Sequence, residues 1–184
     1  MQNDNKKYLK FFAMIVTSMI AMFLLMYTHS YQIIDHLWFS ETRFFMTLIM
    51  GGSMIIIMLL FMLSMYKDTK INIAIFSLGV LMIAGGIGLV RSQITVTGTD
   101  YMEGMIPHHS IAILTSERAK IEDIRVRKLA DEIIKAQRRE IMEMEWLIND
   151  IKKNGVVTTE EEKAKRPAPT FEDSLNKETR NVTE

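Results

Sequence analysis

The sequence predicts an all-α protein. Three membrane-spanning helices (residues 1–98) are followed by a helical hairpin outside the cytoplasm (99–155), which pairs with a second copy into a four-helix bundle, and by a disordered polar tail (156–184). Three observations predict this. Apolar residues make up 48% of the 184 and gather in long uncharged blocks. Lysine and arginine are distributed unequally between the flanks of those blocks. Past the third block the apolar spacing changes to that of amphipathic helices.

The first block runs over about 11–27, broken only by Thr17 and Ser18; the second over about 44–66; the third over about 71–90. Each lies within the roughly 17–25 residues that carry a helix across about 30 Å of hydrocarbon. Lys6, Lys7 and Lys10 ahead of the first block resemble the basic start of a signal peptide, but no small-residue cleavage site follows at "MYTHSYQ", so the block is read as a retained span. Gly85, Gly86 and Gly88, with Ala84, are read as a close-packing surface of the third span.

Orientation follows from the short flanking segments, because cytoplasmic loops keep Lys and Arg. Lys6, Lys7 and Lys10 precede the first span, and Lys67 and Lys70 fill the turn between the second and third. The other side offers Arg43 and Arg91, then nothing basic until Arg118. The amino terminus is therefore expected in the cytoplasm and everything after residue 90 outside it, as in a multi-pass membrane protein with an extracytoplasmic domain. The formal charge is zero, and the basic runs Arg125, Arg127, Lys128 and Lys135, Arg138, Arg139 alternate with acids. That pattern is a solvated helix face and excludes a nucleic-acid binder.

Beyond the membrane, Asp100 and Glu103 resemble a capping box, so a helix is expected from about Tyr101 to Lys120, kinked at Pro107. A second helix is expected from about Glu122 to Lys153. Its apolar stripe is Leu129, Ile133, Ile134, Ile141, Met144, Leu147, Ile148 and Ile151, and Gly155 closes it. Two helices leave apolar surface uncovered. A homodimer is the expected solution, and packing onto the membrane spans is the competitor.

The chain has 16 Met and no Cys, and "YMEGMIPHHSIAIL" concentrates Met102, Met105, His108 and His109. At 100° per residue Met102, Met105 and His109 share roughly a 60° arc, with His108 about 60° to one side. Met144 on the second helix is the expected additional ligand and Glu140 the expected outer carboxylate. Neutral thioether and imidazole favour Cu(I), whereas zinc prefers thiolate or carboxylate with imidazole, and calcium or magnesium takes oxygen. Thioethers also stay available where thiols oxidise. Methionine is equally a filler of cores, and paired histidines often satisfy carbonyls at a kink. No Glu-x-x-His pair, phosphate loop or nucleophile and base pairing is present, so no enzyme is expected.

"MIPHHSIAILTSERA" followed by "RKLADEIIKAQRREIMEMEWL" resembles the domain-of-unknown-function 305 family over roughly residues 99–153, on Met105, Pro107, His108, His109 in one helix and Gln137, Glu140, Ile141, Met144, Trp146, Leu147 in the next. The resemblance implies a bacterial ferritin-like helical domain, copper handling outside the cytoplasm, and methionine and histidine ligands. The expected function is thus a membrane-anchored copper-binding protein for Cu(I) sequestration or delivery in copper resistance, with a copper-handling protein as possible partner. The alternative is a structural module recruiting a membrane partner. A third reading, a transporter, rests on Met46, Met50, Met54, Met58 and Met62, spaced four apart in the second span. In the first outer loop His29, Asp35 and His36 form a weaker metal candidate, and Tyr31 and Trp38 are read as membrane-interface anchors.

Overall fold

The computed structural model describes residues 2–28, 30–32 and 38–171. Its helices are α1 (Gln2–Leu25), α2 (Glu41–Phe61), α3 (Thr69–Ser92), α4 (Gly98–Arg118), α5 (Ile124–Asn154) and α6 (Glu160–Lys165), with no strand among the described residues. Two compact units result: Met1–Thr28 with Ser40–Val96, and His29–Phe39 with Thr97–Glu184.

In the first unit, Lys6–Leu25, Glu41–Phe61 and Thr69–Ser92 are long and apolar enough to cross a membrane. Large apolar side chains point outward, Phe61 at 86% and Leu81 at 69% exposure. Water would penalise that surface and hydrocarbon would not. Contact between α2 and α3 is set by glycine. A Cβ on Gly52 would stand 2.6 Å from the Gly79 carbonyl oxygen, and one on Gly86 2.7 Å from Ile49 Cγ1 and 3.1 Å from the Phe45 carbonyl. Gly79 and Gly86, seven residues apart, therefore lie on the face turned to α2. Gly85 and Gly88 meet nothing within 4 Å, which corrects the expectation that they shape the packing surface.

Tyr8, Phe11, Ile15, Ile55, Leu59, Tyr66 and Ile75 form the core of this unit, with Met54, Met58 and Met62 packed against it. Met46 and Met50 instead face outward. A four-residue repeat drifts about 40° per step, so a ridge from 46 to 62 turns through roughly 160° and cannot keep one environment. At the end of the unit, α2 stops at Phe61, short of the apolar block's end at 66. There Tyr8 donates to Asn72 Oδ1 (2.9 Å) and Asn72 Nδ2 to the Tyr66 carbonyl (2.8 Å).

In the second unit the capping box is Thr97 with Asp100, one turn before the expected pair. Thr97 N–H donates to Asp100 Oδ2 (3.0 Å), and Asp100 N–H to Thr97 Oγ1 (3.4 Å). Glu103 is committed elsewhere, accepting from Lys152 at 2.7 Å. The Thr97 hydrogen bonds, side chain first, hold the Asp100 carboxyl below its ordinary value, with Lys152 adding a smaller effect. On α5, Asp123 caps the first turn and the Arg125 guanidinium holds it at about 2. Gly155 ends the helix at φ 83°, a conformation glycine adopts without strain. The expected disorder from 156 onward is corrected in part: α6 forms under its own Thr159–Glu162 capping box, and Arg166 Nη1 donates back to the Asn154 carbonyl (3.1 Å).

Met102, Ile106, Ile113, Ile141, Met144 and Ile148 form the hairpin core. Leu129, expected in the stripe, is exposed together with Ile124 and Val126. Tyr31 and Trp38, read from the sequence as membrane anchors, pack on the hairpin core instead.

Two outcomes test this account. Gly79→Leu should lower the thermal stability of the detergent-solubilised protein by about 1–3 kcal/mol through overpacking, while Gly85→Leu leaves it nearly unchanged. Thr97→Ala should lower hairpin stability by about 1 kcal/mol. Because the Asp100 pKa is depressed on folding, its contribution is present above the unfolded carboxylate range and is lost as pH falls through the lower folded value. Asp100→Asn should flatten that acid-side fall in a circular-dichroism pH titration.

Candidate functional site

Burial divides α4 into two faces. Met102, Ile106, His109, Ser110 and Ile113 turn inward; Tyr101 and His108 turn outward, and Met105 lies half-buried between them. The adjacent histidines thus have different surroundings, with ring centroids 6.3 Å apart. His109 is 8% exposed and His108 is exposed. Pro107 is buried, and α4 runs through it from 98 to 118 as one helix.

Besides the Arg138–Glu117 ion pair (2.6 Å), three side-chain bridges descend the hairpin in antiparallel order. Arg127 Nη1 donates to the Ser116 carbonyl (2.9 Å), His109 Nε2 meets Glu140 Oε2 (2.8 Å), and Lys152 Nζ meets Glu103 Oε1 (2.7 Å). Met105 and Met144 both fall between the second and third bridges, and Met102 lies one residue beyond the third. All three thioethers belong to or pack on one cluster. Along the axis of α4, however, Met102 and His109 are seven residues apart, about 10 Å at 1.5 Å per residue. The donors therefore form a short ladder, a feature that the angular argument from sequence leaves out.

His109 has an oxygen before each ring nitrogen: the Met105 carbonyl 3.0 Å from Nδ1 and Glu140 Oε2 2.8 Å from Nε2. A carbonyl and a carboxylate only accept hydrogen bonds. A bare nitrogen lone pair at 2.8 Å from an ionised Glu140 would repel it, so the contact is a hydrogen bond with the proton on Nε2 donated to Glu140. Glu140 reaches His109 as expected, but on the nitrogen that the backbone leaves free. Among the described residues no three His, Asp or Glu side chains gather as a metal-holding group. His29, Asp35 and His36 lie outside the described residues.

Sequence reasoning missed the groups that seat the α1–α2 loop on this site. Tyr31 N–H donates to Ser110 Oγ (2.7 Å), Arg138 stands over the Tyr31 ring at 5.9 Å, and Lys152 over the Trp38 ring at 5.4 Å. The available signal was topological: if the three expected spans all cross, this loop and the hairpin share one side, and the hairpin needs cover.

Comparison with known proteins bears on the same region. A family model described as Domain of unknown function (DUF305) matches residues 98–180. An uncharacterized protein of Acanthamoeba polyphaga mimivirus is 34% identical over 111 residues, covering 59% of this chain and 71% of that protein. That length exceeds the 98–184 segment, so the likeness extends into the membrane-helix region. No solved structure matches. The chain belongs to the DUF305 family.

Proposed function

We propose that this protein is a membrane-anchored copper-binding protein, holding Cu(I) on the extracytoplasmic face of a bacterial plasma membrane for sequestration or for delivery to a copper-handling partner. It acts by binding and not by catalysis. The observation that carries the reading is the placement of the Met102, Met105 and Met144 thioethers in one cluster next to His109, whose Nε2 faces Glu140 at 2.8 Å. Such donors are soft to borderline and suit Cu(I). The donor chemistry suits the ion: on this reading His109 Nε2 with the nearer thioethers of Met105 and Met144 would hold it, Met102 would be a further donor along the ladder, and Glu140 would supply compensating charge. His108, exposed beside half-buried Met105, would contribute from the outer side.

The topology proposed with it places the amino terminus in the cytoplasm, supported by Lys6, Lys7, Lys10, Lys67 and Lys70 against Arg43 and Arg91. A second copy is proposed to cover the exposed Ile124, Val126 and Leu129 near the start of α5.

Competition of the purified protein with a Cu(I) chelator, with elemental analysis, tests the site. Met102→Leu and Met144→Leu conserve volume and should cost less than about 1.5 kcal/mol of stability, yet weaken Cu(I) binding at every pH. His109→Ala should weaken it as well, because it removes the imidazole donor beside the thioethers. Glu140→Ala should cost about 10–100-fold in affinity, the usual effect of losing a ligand's hydrogen-bond partner. Unchanged affinity in all of these, or preference of the native protein for zinc, would overturn the reading.

Topology and assembly have separate checks. The native chain has no cysteine, so a membrane-impermeant maleimide applied to intact cells should label Thr158→Cys and spare Lys67→Cys. The reverse pattern defeats the proposed orientation. Leu129→Glu should shift the solubilised protein from dimer to monomer, and a native protein that sediments as a monomer refutes the second copy.

A further inference from the structure

Where α2 meets α3, the protein carries an open groove of about 540 Å3, within the roughly 300–1,000 Å3 of small-ligand sites. Leu60, Leu63, Ile73 and Phe76 form exposed apolar walls over buried Leu59 and Tyr66. Lys67 and Thr69, both exposed, complete the lining. The groove is held in shape from below. Tyr8 of α1 bonds Asn72, and Asn72 bonds the Tyr66 carbonyl, so the Asn72 side-chain amide is engaged within the protein.

Its position decides what can fill it. α2 ends at Phe61 and α3 begins at Thr69, so the groove lies at the ends of two helices that are long and apolar enough to span a membrane. Apolar walls continuous with the helix surfaces meet an ammonium group where the helices end. The one acid of the turn, Asp68, is turned to the start of α3, accepting from Lys70 N–H (3.0 Å) and Ile71 N–H (3.1 Å). Lys67 and Lys70 therefore give this edge a positive balance. Basic pockets between membrane helices take anionic headgroups, while the walls accept an acyl chain.

We propose that this groove binds one anionic phospholipid, with an acyl chain along Leu60, Leu63, Ile73 and Phe76 and the headgroup phosphate at Lys67. The occupant is a lipid and not free phosphate, because most of the lining is hydrocarbon. The inference does not depend on copper.

Native mass spectrometry of the full-length protein, released from vesicles holding phosphatidylglycerol and phosphatidylcholine at equal mole fraction, tests it. One phosphatidylglycerol should be retained with about fivefold preference, the ratio that one lysine near an anionic surface supplies. Lys67→Gln, an exposed change that spares the fold, should bring the preference close to parity. Ile73→Trp, which fills the groove while Lys67 remains, should abolish retention of either lipid. Inorganic phosphate in excess should not displace the lipid. Equal retention of the two lipids by the native protein would mean that bulk lipid or detergent fills the groove. That result, an unchanged preference in Lys67→Gln, or displacement by phosphate alone would overturn the proposal.

Discussion

Two antiparallel helices bury side chains only along the seam between them, so α4 and α5 need a third surface, and the α1–α2 loop supplies part of it. Tyr31 and Trp38 pack on the cluster that contains Met102 and Met144. A fully buried aromatic removes about 150–250 Å2 from water, and at about 25 cal/mol per Å2 that is worth roughly 4–6 kcal/mol. Both rings are half-buried, so roughly half of that applies to each. The Tyr31 N–H bond to Ser110 adds about 1 kcal/mol, and each cation over a ring about 0.5–1 kcal/mol. Burial therefore seats the loop, and the polar contacts fix where it sits. Arg138 serves both Glu117 and Tyr31, and Lys152 both Glu103 and Trp38, so each cation ties α4, α5 and the loop together.

The proposed topology agrees with this arrangement. Within the membrane-helix unit, the tight α2–α3 pairing rests on Gly52 and Gly79. If all three candidate spans cross, as proposed, the loop after the first and the hairpin after the third would share one compartment; an even number of crossings would deny the hairpin this cover.

Much of this was legible in the sequence because it depends on local periodicity. The three spans, the helix ends at Gly155 and near Glu122, and the stripe through Ile141, Met144 and Ile148 all follow from spacing and chain punctuation. What was not legible depends on neighbours. Periodicity cannot say which glycine of Gly79, Gly85, Gly86 and Gly88 meets another backbone. The capping box was misplaced because Thr97, Asp100 and Glu103 all satisfy the local pattern, and only Lys152 on another helix draws Glu103 away. Leu129 fits the stripe by angle but lies beyond the loop's cover. The α6 turn was missed although Thr159 and Glu162 offer a local capping box, because the charged, Pro-containing composition outweighed it; its tie to α5, through Arg166 on the last carbonyls, is tertiary. The histidine pair was found, but its division into a buried and an exposed ring depends on packing that adjacent letters do not encode.

That division has an electrostatic consequence for the proposed site. His109 is buried beside an apolar cluster, whereas the Glu140 side chain is 39% exposed and already has Arg139 Nη2 at 3.8 Å from its other oxygen. Bound Cu(I) would bring one positive charge to that shared carboxylate, and the thioethers would add donors without adding charge. A divalent ion would bring two, beside Ile106, Ile141 and Ile148, which have no polar side-chain group to answer it. On the proposed reading, sulfur donors favour a monovalent soft ion chemically, and its lower charge asks less of a carboxylate that Arg139 already engages.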